Sequence, residues 1–134
     1  MARFNVTGLE EVIKDMAQMG EQAGRVADDM LMAAAGIVQE SWRSSISSHG
    51  HIDTGAMFRS VGPTKPKTTG DTRSISVYPL GADRRGVRNA EKAFIANFGR
   101  IHQHGTGFAN EAEENAEAPA QEAMINIWDA FIGQ

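Results

Sequence analysis

The fold of this protein is decided by one stretch of sequence, residues 22–47, which reads QAGRVADDMLMAAAGIVQESWRSSIS. Its apolar residues recur at every third or fourth position, and charged residues such as Arg25, Asp29 and Glu40 fall between them. This spacing places the apolar side chains on one face of an α-helix. The sequence therefore predicts a long amphipathic helix over about 22–47, whose apolar face must pack against another element.

A second apolar stripe near the C-terminal end provides that element. Its members are Ala112, Ala116, Ala120, Ala123, Met124, Ile127, Trp128 and Phe131. Pro119 interrupts the stripe, and proline is tolerated in the first turn of a helix, so we expect either two helices or one helix that starts at Pro119. Because Trp42 and Trp128 are each in phase with their stripe, both are expected to be largely buried.

Alternation of polar and apolar residues marks the strands. The alternation predicts an edge strand at residues 3–6 and a second strand at 73–78. The apolar run at 93–98, stopped by Gly99, predicts a third strand. Residues 57–61 are interpreted as a short strand or a turn leading into one.

The remaining segments are interpreted as a helix start and loops. Thr7 and Glu10 have capping-box spacing, which predicts a first helix from about residue 8. Glycine, proline and charge predict mobile loops at 62–72 and 81–92, and a further loop at 100–110. The predicted fold is a single α+β domain over 1–134, with a small antiparallel sheet packed against a long N-terminal helix and a C-terminal helix.

The composition limits the possible functions. The chain of 134 residues has no cysteine, which excludes thiolate catalysis, cysteine-ligated zinc and disulfides. Its N-terminus lacks the apolar core of a signal peptide, and its apolar runs are shorter than a membrane span, so we expect a soluble cytoplasmic protein without membrane association.

Charge is divided along the chain. The net charges of residues 1–42, 43–100 and 101–134 are −4, +6 and −6. Oppositely charged segments attract each other within one subunit or between subunits. Alternatively, the basic middle forms a small nucleic-acid-binding module, since neutralising phosphates releases counterions. The candidate phosphate contacts are Arg73, Arg84, Arg85, Arg88 and Lys92.

Two motifs are compatible with enzymatic chemistry. Asp53-Thr54-Gly55 spells the active-site triplet of retroviral-type aspartic proteases, although those enzymes are almost entirely β. Two histidine pairs, His49 with His51 and His102 with His104, would offer four imidazoles to a metal if their loops met. Solvated histidines in glycine-flanked loops are the simpler interpretation, so we expect no metal, no cofactor and no catalytic residues.

The signature Thr54-Gly55-x-Met57-x-x-Ser60-Val61 resembles a family of small tailed-bacteriophage proteins that form the neck, join heads to tails or complete tails. Other features of that family occur in the same order along this chain, namely Gly8-Leu9-Glu10, the segment 93–99 ending in Phe-Gly, and Ala118-Pro119. Gly55 is expected to supply a special backbone conformation and Thr54 a local hydroxyl hydrogen bond. With Met57, Ser60 and Gly99 they are the predicted structural motif.

The resemblance implies a non-enzymatic virion protein, present in the host cytoplasm before assembly. It implies a ring of identical subunits, expected to be sixfold, between the DNA-filled head and the tail. Neighbouring partners would be head-closure, tail-terminator or tail-tube proteins, and DNA would pass through the ring without sequence-specific binding.

Subunit contacts are predicted to join the basic middle of one chain to the acidic end of the next, with pairing inside one subunit as the alternative. The predicted interface residues are Arg84, Arg85 and Arg88 on one side and Glu111, Glu113, Glu114 and Glu117 on the other.

Overall fold

A computed structural model of the chain describes residues 2–5, 21–51, 55–70 and 72–133. The helices are α1 (Glu21–Ser48), α2 (Ala56–Ser60), α3 (Asn89–Phe98) and α4 (Phe108–Ile132). The strands are β1 (Ala2–Asn5), β2 (Val61–Pro63), β3 (Lys67–Thr69), β4 (Thr72–Pro79), β5 (Gly99–Arg100) and β6 (Gln103–His104). The predicted helix start at Thr7–Glu10 lies outside the described residues. The α+β fold class is confirmed.

The two long helices pack against each other in antiparallel orientation. Ser41 Oγ donates to the carbonyl of Ala112 at 2.6 Å, and Ser45 Oγ donates to the carbonyl of Phe108 at 2.6 Å. Later positions on α1 therefore meet earlier positions on α4. Both bonds tie α1 to the first turns of α4, which fixes where α4 begins relative to the core.

Strand β4 is the centre of a small antiparallel sheet. β1 pairs with one side of it, with Phe4 opposite Ile75. On the other side β2 pairs with the end of β4, with Gly62 opposite Tyr78, and β3 pairs with its beginning. The alternation predicted for 73–78 holds, since Ile75 and Val77 are buried.

The core lies between α1, α4 and the sheet. Its centre is an edge-to-face pair of Trp42 and Phe108, whose ring centroids are 5.6 Å apart. The alanines of the second apolar stripe, Ala112, Ala116 and Ala120, are buried in this core. The buried apolar residues of the two helices are Met30, Leu31, Ala34, Ala35, Val38, Trp42, Ile46, Phe108, Ala109, Ala112, Ala116, Ala120 and Met124.

Of the two alternatives for residues 57–61, the turn leading into a strand is confirmed, whereas the loop predicted for 62–72 was wrong. Residues 56–60 form a helical turn, and the strand begins only at Val61. Within the segment 62–72, predicted to be a mobile loop, Gly62 and Pro63 belong to β2 and Lys67–Thr69 form β3, and both strands pair with β4. The side chains of β3 are exposed, so it is held by backbone hydrogen bonds that leave no hydrophobic pattern in the sequence.

The third predicted strand, 93–98, is instead the second half of helix α3. The buried residues of α3 are Asn89, Ala93 and Asn97, which are four positions apart and therefore share one helical face. Two of the three are polar, so the buried face was not visible as an apolar stripe. The loop predicted for 100–110 is replaced by the short β5–β6 hairpin and the start of α4. Residues 81–88 form the predicted loop, but 89–92 belong to α3.

Pro119 neither starts α4 nor divides it, because the helix runs through it without a break. Proline removes the hydrogen bond to the carbonyl four residues earlier, that of Asn115. Both Asn115 and Pro119 lie on the exposed face of α4, so this carbonyl can be hydrated. Trp42 is buried as predicted, but Trp128 is only partly buried against the edge of the core.

Candidate assembly surface

The signature residues that the structure describes shape the backbone. Gly55, at φ +81°, precedes α2, and a Cβ atom there would lie 2.6 Å from Arg59 Nη1. The buried Met57 anchors the turn, and Ser60 Oγ donates to the Met57 carbonyl at 2.8 Å. Asp53 and Thr54 lie outside the described residues, so the protease-like triplet and the Thr54 hydrogen bond stay predictions.

Gly99 shapes the hairpin that joins α3 to α4. It has φ +86°, and a Cβ atom there would lie 2.5 Å from the carbonyl oxygen of Gln103. On the opposite side of the hairpin base, a Cβ atom on Gly105 would lie 2.4 Å from the carbonyl oxygen of Asn97. The two backbones therefore approach so closely that only glycine fits at either position.

Asn97 holds the hairpin base and the start of α4 together. Its buried side-chain carbonyl accepts hydrogen bonds from the backbone N–H groups of Ala109 at 2.9 Å and Asn110 at 3.3 Å. It thereby caps α4 from outside that helix. Two backbone bonds close the base, from Thr106 N–H to the Ala96 carbonyl and from Gly107 N–H to the Asn97 carbonyl. The hairpin is thus fixed relative to both helices.

Next to this hairpin, α3 exposes large apolar side chains. Phe94 is 60% exposed and Phe98 is 59% exposed, and their ring centroids are 4.8 Å apart. Ile101, in the hairpin turn, is 93% exposed. We call these three residues the α3–hairpin apolar surface. The sequence pattern does not reveal this surface, because a strand over 93–98 would bury alternate residues of the segment.

A groove of about 380 Å³ adjoins this surface, between α3, the first turns of α4 and the end of β4. Buried Trp42, Ala93 and Ala109 contribute to its lining, and the indole N–H of Trp42 has no hydrogen-bond partner among the described residues. Phe94 and Phe98 also line it. The groove is therefore an apolar depression continuous with the exposed aromatic rings.

Charged side chains line the same groove. They are Arg88, Glu91 and Glu113. Although Glu113 keeps much of its surface exposed, partial burial of its carboxyl raises the pKa of Glu113, because desolvation penalises the carboxylate. Among the described residues that line the groove, two side chains are acidic and one is basic.

The predicted interface residues are mostly exposed but are not brought together in one cluster. Arg84, Arg85 and Arg88 are exposed in or beside the loop before α3, and the four glutamates are exposed on α4. Arg88 and Glu113 line one groove within a subunit. In the part of the chain that the structure describes, no salt bridge joins the arginine set to the glutamate set. Their pairing between subunits stays a prediction.

The first histidine pair lies between α1 and α4. His49 Nε2 contacts Glu111 Oε2 at 2.5 Å, and His51 Nε2 contacts Thr106 Oγ1 at 2.8 Å. Burial and the neighbouring His49 both lower the pKa of His51. His102 and His104 are exposed on the hairpin, and the described residues contain no cluster of three or more His, Cys, Asp or Glu that could hold a metal.

Two of the five candidate phosphate contacts are engaged with carboxylates. Arg73 contacts Asp28 Oδ1 at 2.6 Å and Lys92 contacts Asp83.

The helices that the structure describes include none long and apolar enough to cross a membrane. Comparisons with protein-family models, curated proteins and solved structures found no match to this chain.

Proposed function

We propose that this protein is a non-enzymatic structural subunit of the head–tail interface of a tailed bacteriophage, and that copies of it form a ring joining the tail to the DNA-filled head. The observation that carries the proposal is the α3–hairpin apolar surface. Three large apolar side chains, each more than half exposed, lie on or next to a firmly held hairpin. Exposed apolar clusters of this kind mark surfaces that bind other proteins.

The signature residues support the same proposal. Gly55, Ser60 and Gly99 set backbone geometry at a helical turn and at the hairpin base. Signature residues with such structural roles are what we expect in a protein that acts by assembling with other subunits. The order of the signature segments along the chain is the second support, since it follows that of the phage neck and tail-completion proteins.

In this proposal the ring has six subunits, and its neighbours are head-closure, tail-terminator or tail-tube proteins. DNA passes through it without sequence-specific contacts. The protein belongs to the virion and resides in the host cytoplasm before assembly.

A complementation experiment tests the role. A phage or prophage that lacks this gene is supplied with the wild-type protein or with a Phe94→Ser, Phe98→Ser variant. Electron microscopy should show joined particles with the wild type and separate heads and tails with the variant. Met32→Ser removes another exposed apolar side chain, 47% exposed on α1, and is the matched control. Joined particles without the gene would refute the proposal.

The charged interface is tested separately. Reversing Arg84 and Arg85 to Glu should abolish joining with little change in the unfolding midpoint, because both side chains are exposed. Reversal of Glu113 and Glu114 to Lys in the same chain should restore part of it. A lower unfolding midpoint with normal joining would show that the charges pair within one subunit.

A further inference from the structure

The β5–β6 hairpin presents one apolar side chain in a fixed position. Ile101 is 93% exposed, whereas Gly99 and Gly105 clamp the hairpin base by close backbone contact. An isoleucine this exposed contributes little to the stability of the isolated subunit, because almost none of its surface is removed from water. A rigidly held one loses little conformational entropy on binding, so it is well suited to insert into a partner.

The groove beside α3 can receive such a side chain. Its volume of about 380 Å³ exceeds that of a four-carbon side chain, and buried Trp42, Ala93 and Ala109 contribute an apolar lining. Ile101 does not line the groove of its own subunit. The groove is thus open to a side chain from another molecule.

Charge favours a second copy of this chain as that molecule. The hairpin segment 99–107 contains Arg100, His102 and His104 and no acidic residue. Among the described residues, the groove is lined by Glu91, Glu113 and one cation, Arg88, and the adjoining face of α4 adds Glu114 and Glu117. A hairpin that docks in the groove therefore brings the cationic Arg100 to an acidic border.

We propose that Ile101 of one subunit inserts into the groove of the next subunit, with Arg100 facing Glu91 and Glu113. This inference rests on the proposed self-assembly and specifies its contact. The inserting hairpin and the receiving groove are different parts of the surface, so the contact is head-to-tail. Contacts of that type repeat around a closed ring when the rotation between subunits allows closure.

Disulfide cross-linking tests the contact directly, since the chain has no native cysteine. The test variant is Ile101→Cys with Ala90→Cys, because Ala90 lines the groove. Each single substitution is a control. A third control is Ile132→Cys with Ala90→Cys, which places the thiol on another isoleucine, 57% exposed at the far end of α4. Mild oxidation of the native protein is followed by non-reducing electrophoresis.

The expected result is a ladder of covalent multimers from the Ile101/Ala90 pair, with dimers at most from either single variant. A ladder from the Ile132/Ala90 pair alone would assign the groove to the end of α4 and overturn the inference. Dimers from Ile101→Cys as abundant as the products of the pair would indicate hairpin-to-hairpin contact and would also overturn it.

A second variant does not depend on thiol geometry. Ile101→Asp should weaken self-association measured by sedimentation about tenfold or more, as expected for the central residue of an interface. Ile132→Asp should leave self-association unchanged. Arg100→Glu should also weaken it, and Glu113→Arg in the same chain should restore part of the loss.

The outcomes separate this inference from the proposed function. Wild-type protein that self-associates, without cross-linking through Ile101, refutes the contact alone. Cross-linked multimers from a protein that is not needed for joining heads to tails refute the phage role alone. Wild-type protein that stays monomeric at all concentrations refutes the contact, and the complementation experiment then decides the phage role by itself.

Discussion

Replacing Trp42 by Ala should destabilise the subunit far more than replacing Trp128 by Ala. Trp42 is 2% exposed and packs edge-to-face on Phe108, so the change removes almost all of its side-chain burial and the aromatic pair. A buried aromatic side chain covers roughly 150 to 250 Å², and at about 25 cal/mol per Å² its loss costs about 4 to 6 kcal/mol. Measured losses for such changes are about 3 to 5 kcal/mol. Trp128 is only partly buried, so its loss should cost about 1 to 3 kcal/mol.

Chemical denaturation followed by far-UV circular dichroism measures both variants without relying on tryptophan fluorescence. In thermal denaturation of a chain of this length, the same loss for Trp42→Ala corresponds to a decrease in Tm of about 10 to 20 °C. Where that variant does not fold, Trp42→Phe keeps a ring against Phe108 and should show a smaller loss of the same sign. Equal losses from Trp42→Ala and Trp128→Ala would refute the placement of Trp42 at the centre of the core.

Three further predictions concern the contacts around the hairpin and α4. Ser45→Ala should lower the free energy of unfolding by about 1 to 2 kcal/mol, because it leaves the Phe108 carbonyl without its buried donor; urea denaturation against Ser44→Ala, an exposed neighbour, measures this. The lowered pKa of His51 favours the neutral imidazole in the folded state, so its contribution to the free energy of unfolding should be fully present above pH 6.5 and decrease as the pH falls below it. His51→Gln should flatten that part of the plot of unfolding free energy against pH, and an unchanged plot would contradict the prediction. Gly99→Ala should lower the Tm and increase amide exchange in the hairpin, since its Cβ would lie 2.5 Å from a backbone oxygen. Gly86 has a similar φ of +81° but nothing within 4 Å of an added Cβ, so Gly86→Ala should lower the Tm less.

The elements that could be predicted from the sequence are those in which burial alone sets the pattern. Helix α1 buries one apolar face, and its predicted limits differ from the observed ones by one residue at each end. In β4, Ile75 and Val77 enter the core on one face of the strand. In both elements apolar residues occupy most of the buried positions, with Ser45 and Ser74 as exceptions, so the pattern of apolar residues is enough to predict the element.

The elements that could not be predicted are stabilised by polar groups. Asn89 and Asn97 occupy the buried face of α3, where Asn89 Nδ2 donates to the Leu80 carbonyl and Asn97 caps α4. Asparagine is usually an exposed residue, so the buried face of α3 is not recognisable from the sequence. The apolar run Phe94 to Ala96 was therefore interpreted as part of a strand. The consequence extended to the candidate site, because a strand over 93–98 would be expected to bury the face that carries Phe94 and Phe98, whereas helix α3 exposes both.

The closed base of the hairpin separates the tip from the rest of the fold. Backbone hydrogen bonds join Thr106 and Gly107 to α3, and Asn97 caps α4. Together they hold the base of the hairpin, at Gly99 and Gly105, against the two helices. Residues 101 and 102 can therefore be replaced, or the turn lengthened, at little cost in stability. In the contact proposed above, sequence change at this position would alter which groove the tip fits while the core stays the same. The hairpin tip is thus where related chains can diverge in partner specificity without loss of folding.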